Sequence, residues 1–146
     1  MKPQLSEVHP ELQAGAAKVP QLTYNNWTVK VIRWLTRLQP LPKVPETVSI
    51  ENVYIPVPDS QAKLRLRIYK PKSIAALTPV LVWLHGGGYI IGRPEIAEDA
   101  CIRFVHELGI IVVSVDYRLA PDYPFPHFTK NERSIMILIF SRSDLS

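Results

Sequence analysis

A single cysteine, Cys101, in 146 residues excludes an internal disulfide, and one thiol cannot by itself build a zinc centre. Stapled and metal-held folds are therefore ruled out, no metal or other cofactor is expected, and stability has to come from packing. Long apolar runs are missing too. Runs such as residues 135–140 and 110–113 fall far below the roughly 18 to 20 residues that cross a bilayer, so no stable membrane insertion is expected. The opening MKPQLSEVHPELQ has no apolar segment of about 7 to 15 residues, which argues against a secretory signal and for a cytoplasmic location. Charge of one sign is never concentrated: the net charge is +4, but the 17 Lys and Arg residues are scattered, which is poor support for a nucleic-acid partner. What is present is an ordinary globular composition, 47% hydrophobic and 21% charged, with too much apolar content for disorder.

The type of hydrophobic period changes along the chain. Over residues 23–38, Trp27, Val31, Trp34, Leu35 and Leu38 recur at helical spacing, while Lys30, Arg33 and Arg37 share the opposite face; the pattern predicts an amphipathic helix, stopped by Gln39-Pro40-Leu41-Pro42. A weaker helix is expected within residues 10–18, interrupted by Gly15. Residues 47–57 are rich in β-branched and aromatic side chains, Pro58-Asp59-Ser60 supplies turn chemistry, and Leu64, Leu66 and Ile68 alternate with Arg65, Arg67 and Tyr69. This predicts an antiparallel pair with one wet face. Residues 79–84 are apolar throughout and suit a strand covered on both faces, as do residues 110–115. Between them, residues 94–108 start with proline, carry Glu95, Glu98 and Asp99 near the positive end of a helix and stop at Gly109. Its apolar stripe is Ala97, Cys101, Phe104, Val105 and Leu108. Strand, helix, strand at this spacing implies two parallel strands in an α/β sheet.

The loop leaving the carboxyl end of a central strand in such a sheet is where ligands meet backbone. Here it reads His85-Gly86-Gly87-Gly88-Tyr89. Consecutive glycines let the main chain turn sharply and present adjacent N–H groups to a negative atom, as a tetrahedral acyl-transfer intermediate requires. A tight turn with no ligand fits the same residues. A nucleotide-binding α/β domain is a further alternative, with Asp116 as the acidic residue closing the next strand. The spacing opposes it: G-x-G-x-x-G counted from Gly86 demands glycine at Ile91, and no G-x-x-x-x-G-K-[ST] occurs.

After the second parallel strand comes Val115-Asp116-Tyr117-Arg118-Leu119-Ala120-Pro121-Asp122-Tyr123-Pro124-Phe125-Pro126. It resembles the Y-R-L-A-P-E-x-x-F-P signature of the hormone-sensitive-lipase-like esterases, α/β-hydrolases whose other hallmark is HGGG followed by an aromatic. The resemblance covers roughly residues 47–126. It implies residues 1–45 as N-terminal cap helices, 46–126 as the N-terminal half of an α/β-hydrolase core, and 127–146 as a divergent tail. It implies the Gly87 and Gly88 N–H groups as oxyanion-hole donors, His85 as a loop-shaping residue and not a base, and Tyr89 either lining the substrate pocket or packed under the cap. Asp116, Tyr117 and Arg118 would brace the proline-rich loop, and Trp27 and Trp34 would serve cap packing or substrate contact. The basic face of the same helix could alternatively rest on a membrane.

The family's chemistry needs a serine on a G-x-S-x-G elbow, then an acid, then a histidine. None of the serines at 6, 49, 60, 73, 114, 134, 141, 143 and 146 has glycine two residues before and after, and the last glycine is Gly109. No nucleophile is therefore assigned; Cys101, on an apolar stripe, reads as an inert buried thiol, and His106 and His127 as surface residues. The expectation is a truncated serine esterase acting on small acyl esters, marginally folded and inactive alone. The alternative is a non-catalytic α/β module acting as a binding or regulatory piece. The uncharged segment 135–140 is expected to favour aggregation, and the oligomeric state is left open.

Overall fold

A computed structural model describes residues 6, 8–17, 25–57, 61–74 and 77–124. The turn at 58–60, the tail 127–146 with its segment 135–140, and His127 lie outside the described residues. Two helices come first, α1 (Pro10–Ala16) and α2 (Asn26–Arg37). Strands β1 (Val48–Pro56), β2 (Lys63–Pro71) and β3 (Val80–Leu84) follow, then a 3₁₀ turn (Pro94–Ala97) running into α3 (Glu98–Leu108), and β4 (Ile111–Asp116). The strands form one sheet in the order β1-β2-β4-β3. β1 and β2 pair antiparallel, with Val53 opposite Leu66; β2 and β4 are also antiparallel; β3 and β4 run parallel, with Val82 opposite Val113. The antiparallel pair and the parallel strand-helix-strand thus form as their patterns predict. Among the described residues no helix is long and apolar enough to cross a membrane.

Alternation along β2 sends Leu64, Leu66 and Ile68 to one face of the sheet, where they pack with Ile55, Val113 and Val115. Tyr69 goes to the other, against Cys101, Ile102 and Val105 of α3 and Val112 of β4. That second face corrects the expectation of a wet surface. Arg65 and Arg67 lie under the 3₁₀ turn and α3: Arg65 reaches both Glu95 oxygens at 2.6 and 3.0 Å, and Arg67 reaches both Glu98 oxygens at 2.9 Å. Glu98 is only 2% exposed. Glu95 and Glu98, expected to serve the helix dipole, are therefore chiefly partners for a largely covered arginine row, while Asp99 stays exposed beside Arg103, and an alternating strand cannot by itself reveal that its charged face is covered.

Four further expectations change. β3 is not covered on both faces; Val80 and Leu84 are 40% and 49% exposed because β3 is an outer strand, whereas β4, held between β2 and β3, is buried along most of its length. Gly15 lies within α1 and does not interrupt it. The segment 94–108 begins as 3₁₀ before becoming α-helix, and ends at Gly109 in the left-handed region. Its stripe is rotated: Ile102 is buried and Leu108 exposed.

Helix α2 has the largest correction. Asn25 caps it, its side chain accepting from the Trp27 and Thr28 amides at 3.0 and 2.9 Å, while Thr28 Oγ1 accepts from the Asn25 amide. Its buried residue is Val29, while Trp27, Trp34, Leu35 and Leu38 are exposed. The apolar stripe faces outward, and Arg33, assigned to the solvent face, turns inward.

The Arg67–Glu98 pair yields a prediction. Glu98→Ala leaves a buried guanidinium without its partner and should lower unfolding free energy by about 3–5 kcal/mol. Asp99→Ala, which removes an exposed contact to Arg103 and one negative charge in the first turn of α3, should cost about 1 kcal/mol or less. Urea denaturation of both variants checks the contrast.

Candidate active site

The glycine turn begins where β3 ends, at the carboxyl rim of the parallel pair. Gly87 is its pivot: its carbonyl accepts from the Ile90 and Ile91 amides at 3.1 and 3.0 Å, and its φ is 129°. A Cβ there would come within 1.9 Å of the Ile91 carbonyl oxygen. Tyr89 adopts φ 59°, uncommon for a residue with a Cβ; its carbonyl accepts from the Ala120 amide at 2.8 Å. Among the described residues, the Gly87 and Gly88 amides donate to no backbone acceptor.

Gly92 closes the loop. Its φ is 113°, and a Cβ would stand 2.4 Å from both the Gly86 carbonyl oxygen and His85 Nδ1. The Cβ-free contact of Gly92 with His85 depends on a chain reversal that linear spacing cannot express.

His85 is 4% exposed. Its ring stacks on Tyr117 at 4.2 Å between centroids, and the Tyr117 hydroxyl donates to the His85 carbonyl. Nδ1 lies 2.9 Å from the Gly86 carbonyl oxygen, which can only accept, so Nδ1 carries the hydrogen and Nε2 is a bare, buried acceptor with no partner among the described residues. Burial lowers the imidazole pKa below its ordinary value. A neutral, enclosed ring of this kind is built into the loop wall.

The second loop, after β4, is tied to the first. Asp116 accepts from Arg65 Nε at 2.9 Å, Tyr117 contacts His85 as above, and the Arg118 guanidinium lies over the Tyr123 ring at 4.7 Å. Arg33 of α2 then joins three segments. Its Nε donates to the Ile90 carbonyl at 2.9 Å and Nη2 to the Ala120 carbonyl at 2.6 Å, while Nη1 pairs with Asp122. No local pattern distinguishes Arg33 from Lys30 and Arg37, since its acceptors lie 57 and 87 residues away.

Tyr89 is half-exposed and meets Tyr117 at 5.9 Å. Cys101 is fully buried, and that burial, with Glu98 nearby, pushes its thiol up to about 11, opposite to the activation a nucleophile needs. His106 is exposed and stands 3.0 Å from Thr47 Oγ1, on the far end of α3. Among the described residues no group of three or more His, Cys, Asp or Glu could hold a metal ion.

Residues 81–143 match the family described as alpha/beta hydrolase fold, a span that opens in β3 and takes in both loops. Esterase LipI of Mycobacterium tuberculosis is 35% identical over 92 residues, covering 62% of this chain and 29% of LipI. The structure named Bacterial Heroin Esterase superposes with a TM-score of 0.74 at 26% identity, covering 96% of this chain and 45% of that one. These matches support the hormone-sensitive-lipase-like carboxylesterase family of the α/β-hydrolase fold. It spans less than half of these relatives' length. A protein named FAD-linked oxidoreductase pytB, from Aspergillus terreus, is also 36% identical over 94 residues, but that match takes in 11% of its length.

Two predictions follow from the turn. Gly92→Ala should destabilise the protein by roughly 2–4 kcal/mol, since it adds both steric overlap and left-handed strain. Gly86→Ala, which meets nothing within 4 Å, should stay within about 1 kcal/mol; thermal melts of the two variants compare them directly. His85 gives a pH dependence. Its folded pKa is depressed, so the unfolded chain binds the proton more readily; the stability gained from the neutral ring is full above about pH 6.5 and declines on acidification below it. Melting temperatures should fall between pH 7.5 and 5.5, and His85→Asn should flatten that interval; an unchanged slope would contradict the assignment.

Proposed function

We propose that this chain carries the oxyanion-binding portion of a serine carboxylic-ester hydrolase that acts on short or medium acyl esters. The observation that supports this best is the Gly87-Gly88 turn at the carboxyl end of β3, its two amides uncommitted to backbone acceptors among the described residues. In acyl transfer the carbonyl oxygen becomes negative as the nucleophile adds, and fixed N–H donors act most strongly on that charge; removing one such donor typically slows turnover by about 10²–10³. In this reading His85 shapes the loop without exchanging protons, and Tyr89, half-exposed beside it, lines the acyl or alcohol pocket. The 146 residues contain no G-x-S-x-G, so the attacking serine has to come from sequence not present here, and the polypeptide by itself is inactive.

A second reading, a non-catalytic module that binds another chain, is favoured by one feature: β3 is an outer strand of the sheet and presents Val80 and Leu84 partly exposed. Such an edge can accept a further strand.

Hydrolysis of p-nitrophenyl butyrate by the 146-residue polypeptide tests the proposal. The expected rate equals that of buffer, and coding DNA downstream should contain a G-x-S-x-G followed by an acid and a histidine. Turnover blocked by a serine-directed inhibitor would contradict the assignment of the nucleophile to sequence outside this chain, and downstream DNA lacking the elbow in every frame would favour the binding module.

A further inference from the structure

Beside the glycine turn, and sharing Gly92 with its loop, an open cavity of about 340 Å³ lies among α2, the 3₁₀ turn and the loop after β4. Its lining carries five guanidinium groups, from Arg33, Arg37, Arg65, Arg93 and Arg118. Three carboxylates, of Glu95, Asp116 and Asp122, line the same space. The wall therefore holds an excess of two positive charges. Two carboxylates are engaged by Arg65 and the third by Arg33, which leaves Arg37 and Arg93 without a hydrogen-bonded carboxylate. Arg37 forms no ion pair among the described residues. Arg93 stands 3.8 Å from Glu95 without hydrogen bonding to it, and its buried Nε has no acceptor. A buried guanidinium N–H left unmade is costly, and a planar fork with free donors matches an oxyanion in geometry as well as charge.

We propose that this cavity is a binding site for a small dianionic oxyanion, a phosphate group or a short dicarboxylate, held chiefly by Arg93 and Arg37. The carboxylates already paired keep Arg65 and Arg33 in place, so the site is pre-organised and its free donors are the ones the ligand takes. Nothing in this assignment depends on ester hydrolysis, and the site does not include Gly87, Gly88 or Tyr89.

Titration of the whole chain with inorganic phosphate and, separately, malonate tests it, following the arginine Nε–H resonances and using sodium chloride at matched ionic strength as control. The expected result is a saturable shift at Arg93 with a dissociation constant on the order of 1 mM. Phosphate acting alone would assign a phosphate group, malonate alone a dicarboxylate; either supports the site. Arg37→Gln, a change at an exposed position that should leave folding intact, is expected to weaken binding about tenfold. Arg103→Gln, outside the cavity, should not change it. Absence of a saturable shift, an equal shift with chloride, or an Arg37→Gln variant that binds like the unaltered chain would overturn the proposal.

Discussion

One side chain holds the loop end of the sheet together. Arg33 places its three nitrogens on Ile90, Ala120 and Asp122, and so fastens a helix near the start of the chain to both loops that leave the parallel strands. Backbone carbonyls in loops have no ladder or helix to satisfy them, and a buried one without a donor is expensive. Charge-assisted donors from a single rigid fork meet two such carbonyls at once. The orientation of α2 follows from this. A helix that turns Val29 and Arg33 inward must turn Trp27, Trp34 and Leu38 outward, because those positions lie on the other side of a 3.6-residue period.

Beneath the loops, the sheet is braced by charge as well as by apolar packing. Arg65 and Arg67 of β2 reach across to Glu95 and Glu98, fixing the start of α3 over the strand that pairs with β4. Burial by itself would raise the Glu95 carboxyl, but hydrogen bonding and charge from Arg65 outweigh it and hold that carboxyl below its ordinary range. Because Asp116 also binds Arg65, the end of β4, the 3₁₀ turn and β2 share one network. The backbone that displays the glycine amides thus rests on elements whose relative positions are set by paired charges.

Much of this was legible in residue order. Strand pairing followed from alternation in β2 and from two nearly continuous apolar runs, and the helix stop at Gly109 from a residue able to take a left-handed turn. The glycine triplet and the tyrosine-rich motif after β4 led to the same family that the relatives support. What escaped was everything that depends on which face a neighbour covers. Arg65 and Arg67 alternate as a solvent face would, yet α3 lies over them; the α2 stripe has the period of a buried face, yet points outward. Gly92 and Arg33 act through partners distant in sequence or reached through a reversal, and no linear pattern encodes those contacts.

The role of Arg33 is tested by amide hydrogen exchange in the whole chain with Arg33 replaced by Met, which keeps bulk but removes every side-chain donor. If the guanidinium fastens the loops, protection at Ile90, Ile91 and Ala120 should fall by about tenfold or more, while the amides of β2 and β4 exchange as before. Unchanged protection at those three loop amides would contradict it.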